Sequence, residues 1–348
     1  MIALVVVNVG IPAAFLIVRL VAHAVAPHSY GPAGGYSIFE GLITGPIYIF
    51  GFIVAATLGC TAGAIDLTEG MFRHLVVTGR SRIALYFARI PAGLMIIAPI
   101  VAAGIIVVCS VCVAAAPTRL SFDGISSVPV GLSRQGFAAW AAAHPRAAIC
   151  NMGYQYTAPA PSQVNCGPNN EVVIVKSVKT PSGNGSATSI TATPATEAEA
   201  RAFAKKVAEQ NYASYRTTFL TPPAKLMVET GLWVELWAFI GFLVGLGLAS
   251  LMGQRTVPVV LLIVYEIVLT PLLSRVAIPH LINAQRALVG LAMEHLEPAA
   301  LPPVFGGMRG GGGGQLLPEA TAVAVVVVVV WIVAWTALGA WRMATRDA

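Results

Sequence analysis

Residues 66–89 read DLTEGMFRHLVVTGRSRIALYFAR and form a polar interruption between two long apolar stretches. Leu67, Met71 and Leu75 recur at helical spacing, and Thr78-Gly79 is a turn signal, so the segment is predicted to form a short amphipathic helix followed by a turn. Its arginines outnumber its acidic residues and are Arg73, Arg80, Arg82 and Arg89, against Asp66 and Glu69. Because basic segments between membrane spans are typical of the cytoplasmic side, we expect this element to face the cytoplasm.

The composition of the chain is that of a membrane protein. Its 348 residues are 57% hydrophobic and 10% charged, with a mean hydropathy of +0.77, whereas about a quarter of the residues in soluble domains are charged. Several apolar runs exceed the roughly 20 residues that a helix needs to cross a bilayer. The sequence therefore predicts an all-α polytopic membrane protein, and its alanine, valine, glycine and arginine content points to the inner (plasma) membrane of a bacterium.

Six apolar stretches are predicted to span the membrane: residues 2–25, 41–65, 90–115, 230–252, 256–278 and 319–341. The first could instead be a cleaved signal peptide, but it lacks a basic start and its apolar run is too long for one. If the N-terminus is cytoplasmic, the short cytoplasmic segments carry seven arginines and the short outer loops carry two. Because positive charge favours the cytoplasmic side, both termini are predicted to be cytoplasmic.

A polar insert between the third and fourth spans carries all five lysines and is predicted to be a small external α/β domain. Residues 171–178 and 186–193 have the composition of strands. Thr196 and Glu199 form a capping-box signature for a helix that runs to about Tyr215. The net charge of +6 is therefore not taken to indicate nucleic-acid binding.

The five cysteines divide by their surroundings. Cys150 and Cys166 lie in the polar insert, where an external location would allow a disulfide between them. The other three, Cys60, Cys109 and Cys112, lie inside apolar runs and are predicted to pack as small apolar groups. The sequence contains no H-E-x-x-H motif and no dense Cys/His cluster, so no metal site is predicted.

These features divide the chain into three regions. Residues 1–116 hold the first three predicted spans and the 66–89 element, and residues 117–228 form the insert. Residues 229–348 hold the last three spans, with an external segment at 279–318 between the fifth and the sixth. That segment contains an amphipathic stretch from Ile282 to Leu296 and a glycine-rich linker.

Two local sequences carry a family resemblance. The 66–89 element contains Glu69-Gly70-Met71-Phe72-Arg73-His74-Leu75 and then Gly79-Arg80-Ser81-Arg82, which leads into the third span. The chain ends in Leu338-Gly339-Ala340-Trp341-Arg342 with Arg346-Asp347 close behind. With the six spans and the amphipathic segment before the last, these elements resemble the ABC-2 family of ABC transporter permeases over residues 35–115 and 230–348. The chain departs from the family in two respects. Its first predicted span starts at Ile2, so either the start is truncated or mis-set or the family's amphipathic helix before that span is dispensable here, and the chain carries the large insert.

The resemblance implies a permease subunit of an exporter, driven by a separate ABC ATPase subunit. The ATPase would dock on a coupling helix, with Phe72 and Leu75 in a groove of the ATPase and Arg73 and Arg80 at its rim. The full set of expected coupling residues is Glu69, Gly70, Phe72, Arg73, Leu75, Arg80 and Arg82. A second permease copy, identical or related, would complete a path through the bilayer. The alternative interpretation of this element is a solvated basic loop.

The chain itself is predicted not to be an enzyme and to bind no cofactor. It contains no G-x-x-x-x-G-K-[ST] phosphate-binding loop, so ATP would act through the partner subunit. No G-x-S-x-G nucleophile signature is present either.

Ionisable residues within the spans are the other candidates for function. A charge in hydrocarbon costs about 3 kcal/mol on insertion scales, so Arg19, Glu266 and Arg275 are expected to face the protein interior, water or each other. Glu266 could line a transport path, or it could pair with Arg19 or Arg275 as a structural brace. Two alternatives to the permease follow: an ion-coupled secondary transporter using Glu266, and a membrane-anchored scaffold or sensor acting through the 117–228 domain.

Overall fold

The computed structural model describes most of the membrane-spanning residues and much of the insert. The described residues are 2–26, 33–68, 81–116, 119–120, 128–129, 131–151, 162–166, 172–182, 185–212, 215, 221–275, 280–298, 301 and 319–345. Among them are six helices that are long and apolar enough to cross a membrane. The predicted polytopic helical membrane protein is thus confirmed.

The six spans are numbered in chain order. Their helices are Ile2–Val5 and Ile11–Val25 (span 1), Tyr36–Leu42 and Tyr48–Thr68 (span 2), Arg82–Ala114 (span 3), Ala224–Met252 (span 4), Thr256–Val264 and Thr270–Arg275 (span 5), and Thr321–Thr345 (span 6). Span 3 begins earlier than the predicted residue 90, because the Ser81 hydroxyl accepts a hydrogen bond of 3.1 Å from the amide of Ala84 and caps the helix. Arg82 and Arg89 therefore belong to span 3 rather than to a turn before it.

Three of the spans are interrupted by a π-helical turn. These turns are Val6–Gly10 in span 1, Ile43–Ile47 in span 2 and Tyr265–Leu269 in span 5. Each has a proline within or just after it, at Pro12, Pro46 and Pro271. Because proline lacks an amide hydrogen and its ring clashes with the carbonyl group four residues earlier, the helix widens locally, and such turns are frequent at functional sites.

The first of two compact units comprises residues 1–18, 38–112 and 222–348. Span 4 is the most buried of the six spans and packs along span 2 and span 6.

Glycines allow spans 2 and 4 to approach each other closely. A Cβ atom on Gly63 would lie 2.7 Å from the carbonyl oxygen of Leu246, and one on Gly241 would lie 2.7 Å from that of Phe52. Added Cβ atoms on Gly59 and Gly245 would clash with backbone carbonyl oxygens of the facing helix. The pairs Gly59–Gly63 and Gly241–Gly245 thus have the small-xxx-small spacing that brings membrane helices into backbone contact.

The second compact unit comprises residues 19–37 and 113–221. Its elements are β1 Arg119–Leu120, β2 Val128–Pro129, α1 Arg134–Ala143, a π-helical turn Ala147–Asn151, β3 Ser162–Cys166, β4 Val172–Ser182, β5 Gly185–Pro194 and α2 Glu197–Gln210. Strands β1 and β2 form an antiparallel pair, and β3, β4 and β5 form an antiparallel sheet in that order. The register pairs Val164 with Ile174 and Val175 with Ala192.

Helix α2 begins with the capping box that the sequence predicts. The Thr196 hydroxyl accepts a 3.4 Å hydrogen bond from the amide of Glu199, and the Glu199 carboxylate accepts one of 3.0 Å from the amide of Thr196. The helix ends at Gln210, before the predicted end near Tyr215.

An aromatic contact joins helix α1 to Tyr215, which follows α2 in the chain. The rings of Phe137 and Tyr215 are stacked with their centroids 3.9 Å apart. The Tyr215 hydroxyl donates a 2.6 Å hydrogen bond to the carbonyl oxygen of Pro129 and accepts one of 3.2 Å from the amide of Leu132. Burial raises the pKa of Tyr215, because desolvation disfavours the charged phenolate.

Candidate intramembrane site

Two short helices between spans 5 and 6 are tied to the membrane helices. They are α3, Ile282–Arg286, and α4, Val289–His295, so the amphipathic stretch predicted at 282–296 is broken at Ala287 and Leu288. The side-chain amide of Gln285 donates a 2.7 Å hydrogen bond to the carbonyl oxygen of Leu273, at the end of span 5.

Spans 4 and 6 hold the same segment through tryptophan side chains. The indole N–H of Trp233 in span 4 donates a 2.9 Å hydrogen bond to the carbonyl oxygen of Met293. The indole N–H of Trp331 in span 6 donates one of 2.8 Å to the carbonyl oxygen of Ala287. Hydrogen bonds to three different spans therefore fix α3 and α4 against the membrane helices.

Helix α4 comes close to span 5 because it carries a glycine there. A Cβ atom on Gly290 would lie 2.7 Å from the Thr270 methyl group. Residues 289–294 of α4 are all buried. At the end of α4, Nδ1 of His295 lies 3.8 Å from a carboxylate oxygen of Glu319, which precedes span 6.

Four aromatic rings from spans 2 and 4 are stacked beside this segment. The ring of Tyr48 lies between those of Trp233 and Trp237, with centroid distances of 4.4 Å and 5.2 Å. The ring of Phe52 stacks on Trp237 at 4.3 Å. Tyr48 and Phe52 are four residues apart in span 2, and Trp233 and Trp237 are four residues apart in span 4. Each pair therefore lies on one face of its helix. The rings exclude solvent from this part of the membrane unit.

Glu266 lies in the π-helical turn of span 5 and is 1% exposed. Neither of its carboxyl oxygens has a hydrogen-bond partner among the residues that the structure describes. Of the charged side chains described, the one that acts electrostatically on Glu266 is Glu294 of α4, which has the same charge when ionised. The Tyr48 phenol lies within electrostatic range of both carboxyl groups but has no hydrogen bond to either in the described part of the chain. We call Tyr48, Glu266 and Glu294 the Glu266 site.

Three polar groups are buried in or beside the aromatic stack of spans 2 and 4. The hydroxyl groups of Tyr48 and Thr230 and the indole N–H of Trp237 are each buried without a hydrogen-bond partner in the described part of the chain. Thr230 precedes Trp233 by three residues and so lies on the same face of span 4. Burying a polar group without a hydrogen bond costs about 1–3 kcal/mol on mutational scales, so this concentration of polar groups is not explained by packing stability.

The predicted coupling residues are only partly described. Glu69, Gly70, Phe72, Arg73, Leu75 and Arg80 lie outside the described residues. Arg82 is half-buried at the start of span 3. Arg89, one of the basic residues of the 66–89 element, donates a 3.5 Å hydrogen bond to the carbonyl oxygen of Gly63 and so joins span 3 to span 2.

The other predicted residues have mixed outcomes. The side chain of Arg275 lies outside the described residues, and Arg19 begins the second compact unit, so the proposed brace to Glu266 stays a prediction. Cys150 is disulfide-bonded, whereas Cys60, Cys109 and Cys112 are free. The side chain of Cys166 is not described, so the pairing of Cys150 with Cys166 also stays a prediction.

Sequence reasoning identified Glu266 but not the residues around it. Tyr48, Glu294 and Trp233 are not among the residues that the sequence analysis predicts to be functional. The repeat Trp233-x-x-x-Trp237 on one face of a span was a signal for an aromatic cluster. A glutamate directly after the apolar stretch 289–293 was a signal for a buried carboxyl group at Glu294.

Comparisons of the chain with protein-family models, with curated proteins and with solved structures found no match. Among the residues that the structure describes, no group of three or more His, Cys, Asp or Glu side chains could hold a metal ion.

Proposed function

We propose that this multi-pass membrane protein is the permease subunit of an ABC exporter, driven by a separate ATPase that docks on residues 66–89. The observation that supports this proposal best is the helix pair α3–α4, which returns to the spans between spans 5 and 6. Such a returning segment is what the resemblance to ABC-2 permeases implies at this place in the chain.

The contacts of that pair suit a moving part of a transport path. The segment from α3 to α4, including Ala287 between them, makes hydrogen bonds with three spans. A shift of any one of these spans would therefore be transmitted to the others. The buried polar groups of the Glu266 site lie next to α4. Polar groups inside a membrane protein commonly mark a path for solutes or ions.

The coupling element is where energy would enter. Span 3 is a helix from Arg82 onwards, and span 2 is a helix as far as Thr68. Residues 69–80 are therefore attached at both ends to rigid helices, so a force on this element would reach both spans without being lost in a long linker.

The docking proposal is tested by charge reversal. The full-length protein is purified from its native membrane, wild type and Arg73→Glu/Arg80→Glu, and each preparation is assayed for a co-purifying subunit that hydrolyses ATP. We expect the wild type to retain this subunit and to stimulate its ATP hydrolysis, and the double variant to lose both.

A matched control reverses charges elsewhere. Arg201 and Lys205 are exposed on α2 in the second compact unit, and Arg201→Glu/Lys205→Glu should leave ATPase association and stimulation unchanged. The docking assignment is wrong if the Arg73/Arg80 variant stimulates ATP hydrolysis as well as the wild type does. The permease proposal itself fails if no ATP-hydrolysing subunit accompanies the wild-type protein.

The side of the membrane is tested separately by labelling. Cysteines are introduced one at a time by Arg73→Cys and by Lys205→Cys, and intact cells are treated with a membrane-impermeant maleimide. We expect labelling at position 205 but not at position 73. Labelling at position 73 in intact cells would place the element outside and would exclude docking of a cytoplasmic ATPase.

A further inference from the structure

We propose that Glu266 binds a proton inside the membrane unit, with Tyr48 and Glu294 completing the binding site. This inference does not depend on the partner ATPase, and it assigns a specific chemical role to the buried polar groups of the Glu266 site.

The first argument is the isolation of the Glu266 carboxyl group. It is 1% exposed, and neither oxygen has a hydrogen-bond partner among the described residues. An ionised carboxylate in such surroundings is far more costly to bury than a neutral acid, and a group in this position avoids the cost by taking up a proton. A bound proton therefore explains how the Glu266 carboxyl group can be buried although no described residue stabilises its ionised form.

The second argument comes from Tyr48, on another span. Its side chain is fully buried, and its hydroxyl has no hydrogen-bond partner in the described part of the chain. It lies close enough to Glu266 and Glu294 for their charges to act on it. A phenol can donate a hydrogen bond to a carboxylate and can accept one from a carboxylic acid. Tyr48 is therefore suited to both states of a carboxyl group that gains and loses a proton.

Among the described residues, the titratable groups that act on Glu266 come from three elements. They are Tyr48 from span 2, Glu294 from α4 and Tyr265 from the same π-helical turn. Glu297, just after α4, acts on Tyr48. All of these groups are acids or phenols, and none of them supplies a positive charge that would hold Glu266 ionised.

The position of the site gives proton binding a structural consequence. Glu266 belongs to span 5 and Glu294 to α4, and these two elements meet where Gly290 packs against Thr270. When Glu294 is ionised, loss of the proton would place two like charges across this contact. Proton uptake would thus favour α4 packed on span 5, and proton release would favour their separation.

Infrared spectroscopy of the purified full-length protein tests this assignment. Spectra recorded across a pH titration in detergent micelles follow the carbonyl stretch of protonated carboxylic acids. We expect one component of this band to disappear as the pH rises, and we expect Glu266→Gln to lack that component. Glu235→Gln is the matched control, because Glu235 is a half-buried carboxyl group of span 4 outside the Glu266 site, and it should keep the component.

Further variants keep the test decisive. Tyr48→Phe should keep the band component but move its frequency and midpoint, because the phenol next to Glu266 is lost. If Glu266→Gln does not yield folded protein, Glu266→Asp serves instead, and its component should titrate at a different pH from that of the wild type. The proposal is overturned if Glu266→Gln retains the component, if the wild type lacks it, or if Glu266→Asp matches the wild type.

A change of salt separates a proton site from a metal-ion site. The titration is repeated with sodium chloride replaced by choline chloride at equal ionic strength. An unchanged midpoint supports a site for protons. A midpoint that shifts with sodium would overturn the assignment in favour of a sodium-binding carboxylate.

Discussion

The indole N–H of Trp233 in span 4 donates a hydrogen bond of 2.9 Å to the carbonyl oxygen of Met293 in α4. The same indole ring stacks on Tyr48 of span 2, with the ring centroids 4.4 Å apart. One side chain therefore links the position of α4 to the position of the Tyr48 phenol. A displacement of α4 would therefore be transmitted to the Glu266 site through Trp233.

Trp233→Phe should loosen α4 without removing the aromatic stack. The substitution keeps a ring against Tyr48 but removes the hydrogen bond to Met293, an interaction that contributes about 0.5–1.5 kcal/mol. We expect faster amide hydrogen exchange in residues 289–295 of the detergent-solubilised protein. Trp341→Phe is the control, because Trp341 is 60% exposed on span 6. Equal exchange in the two variants would show that Trp233 does not hold α4.

Gly245→Ala should destabilise the membrane unit. The added Cβ atom would clash with the carbonyl oxygen of Ala56 on span 2, and overpacking of this kind typically costs about 1–3 kcal/mol. We expect a lower midpoint when the purified protein is unfolded with sodium dodecyl sulfate in mixed micelles.

The matched control for that variant is Gly41→Ala. A Cβ atom on Gly41 would meet no atom within 4 Å, so this change should leave the unfolding midpoint unchanged or raise it slightly, since alanine favours the helix. If both variants unfold at the same point, close backbone packing of spans 2 and 4 does not contribute to stability.

The second compact unit should lose stability in alkaline solution through Tyr215. Because burial raises the pKa of Tyr215, the folded state retains its phenolic proton at a pH where the unfolded chain, with an ordinary pKa of about 10, has lost it. The unfolded state then binds fewer protons, so stability is intact below about pH 10 and falls as the pH rises further.

Tyr215→Phe should remove this part of the alkaline loss, although it also lowers stability at neutral pH by removing two hydrogen bonds. Hydrogen exchange in residues 134–143 of the full-length protein, recorded as a function of pH, measures both effects. The control is Tyr212→Phe, which removes the hydroxyl that donates a 3.1 Å hydrogen bond to Leu132 but leaves Tyr215 in place. An alkaline loss of the same size in Tyr215→Phe and wild type would contradict the prediction.

Cys150 should be found linked to Cys166. Cys150 is disulfide-bonded, three of the other cysteines are free, and the sequence contains five in all. Proteolysis without reductant, followed by mass spectrometry, should yield one peptide pair joined through these residues. Cys166→Ser should make Cys150 reactive towards maleimide, whereas Cys109→Ser should not, and an unreactive Cys150 in the Cys166 variant would refute the pairing.

Local features of the fold could be predicted from the sequence, but helix lengths could not. The capping box at Thr196 depends on residues three apart and was correctly predicted. Hydropathy, however, marks the part of a helix that crosses the bilayer, and it does not report polar turns that continue the same helix. Span 3 therefore begins at Arg82 and span 4 at Ala224, because Arg82, Arg89 and Lys225 lie in helical turns that hydropathy assigns to loops.

The Glu266 site was predictable only in part for a different reason. A glutamate in an apolar stretch is visible in the sequence because its burial is costly. Its neighbours are not visible, because Tyr48 is brought to it by the packing of two spans that are far apart in the chain. The position of Glu294 depends on the break between α3 and α4 and on the glycine that lets α4 approach Thr270.

The glycine contacts between spans 2 and 4 also limit how the membrane unit can rearrange. Backbone carbonyl oxygens of the facing helix contact Gly59 and Gly245 directly. At these points no side chains separate the backbones of spans 2 and 4. We therefore expect spans 2 and 4 to move together as one rigid body rather than to slide past each other. If a passage opens through this unit, the other spans would therefore have to move relative to the fixed pair of spans 2 and 4.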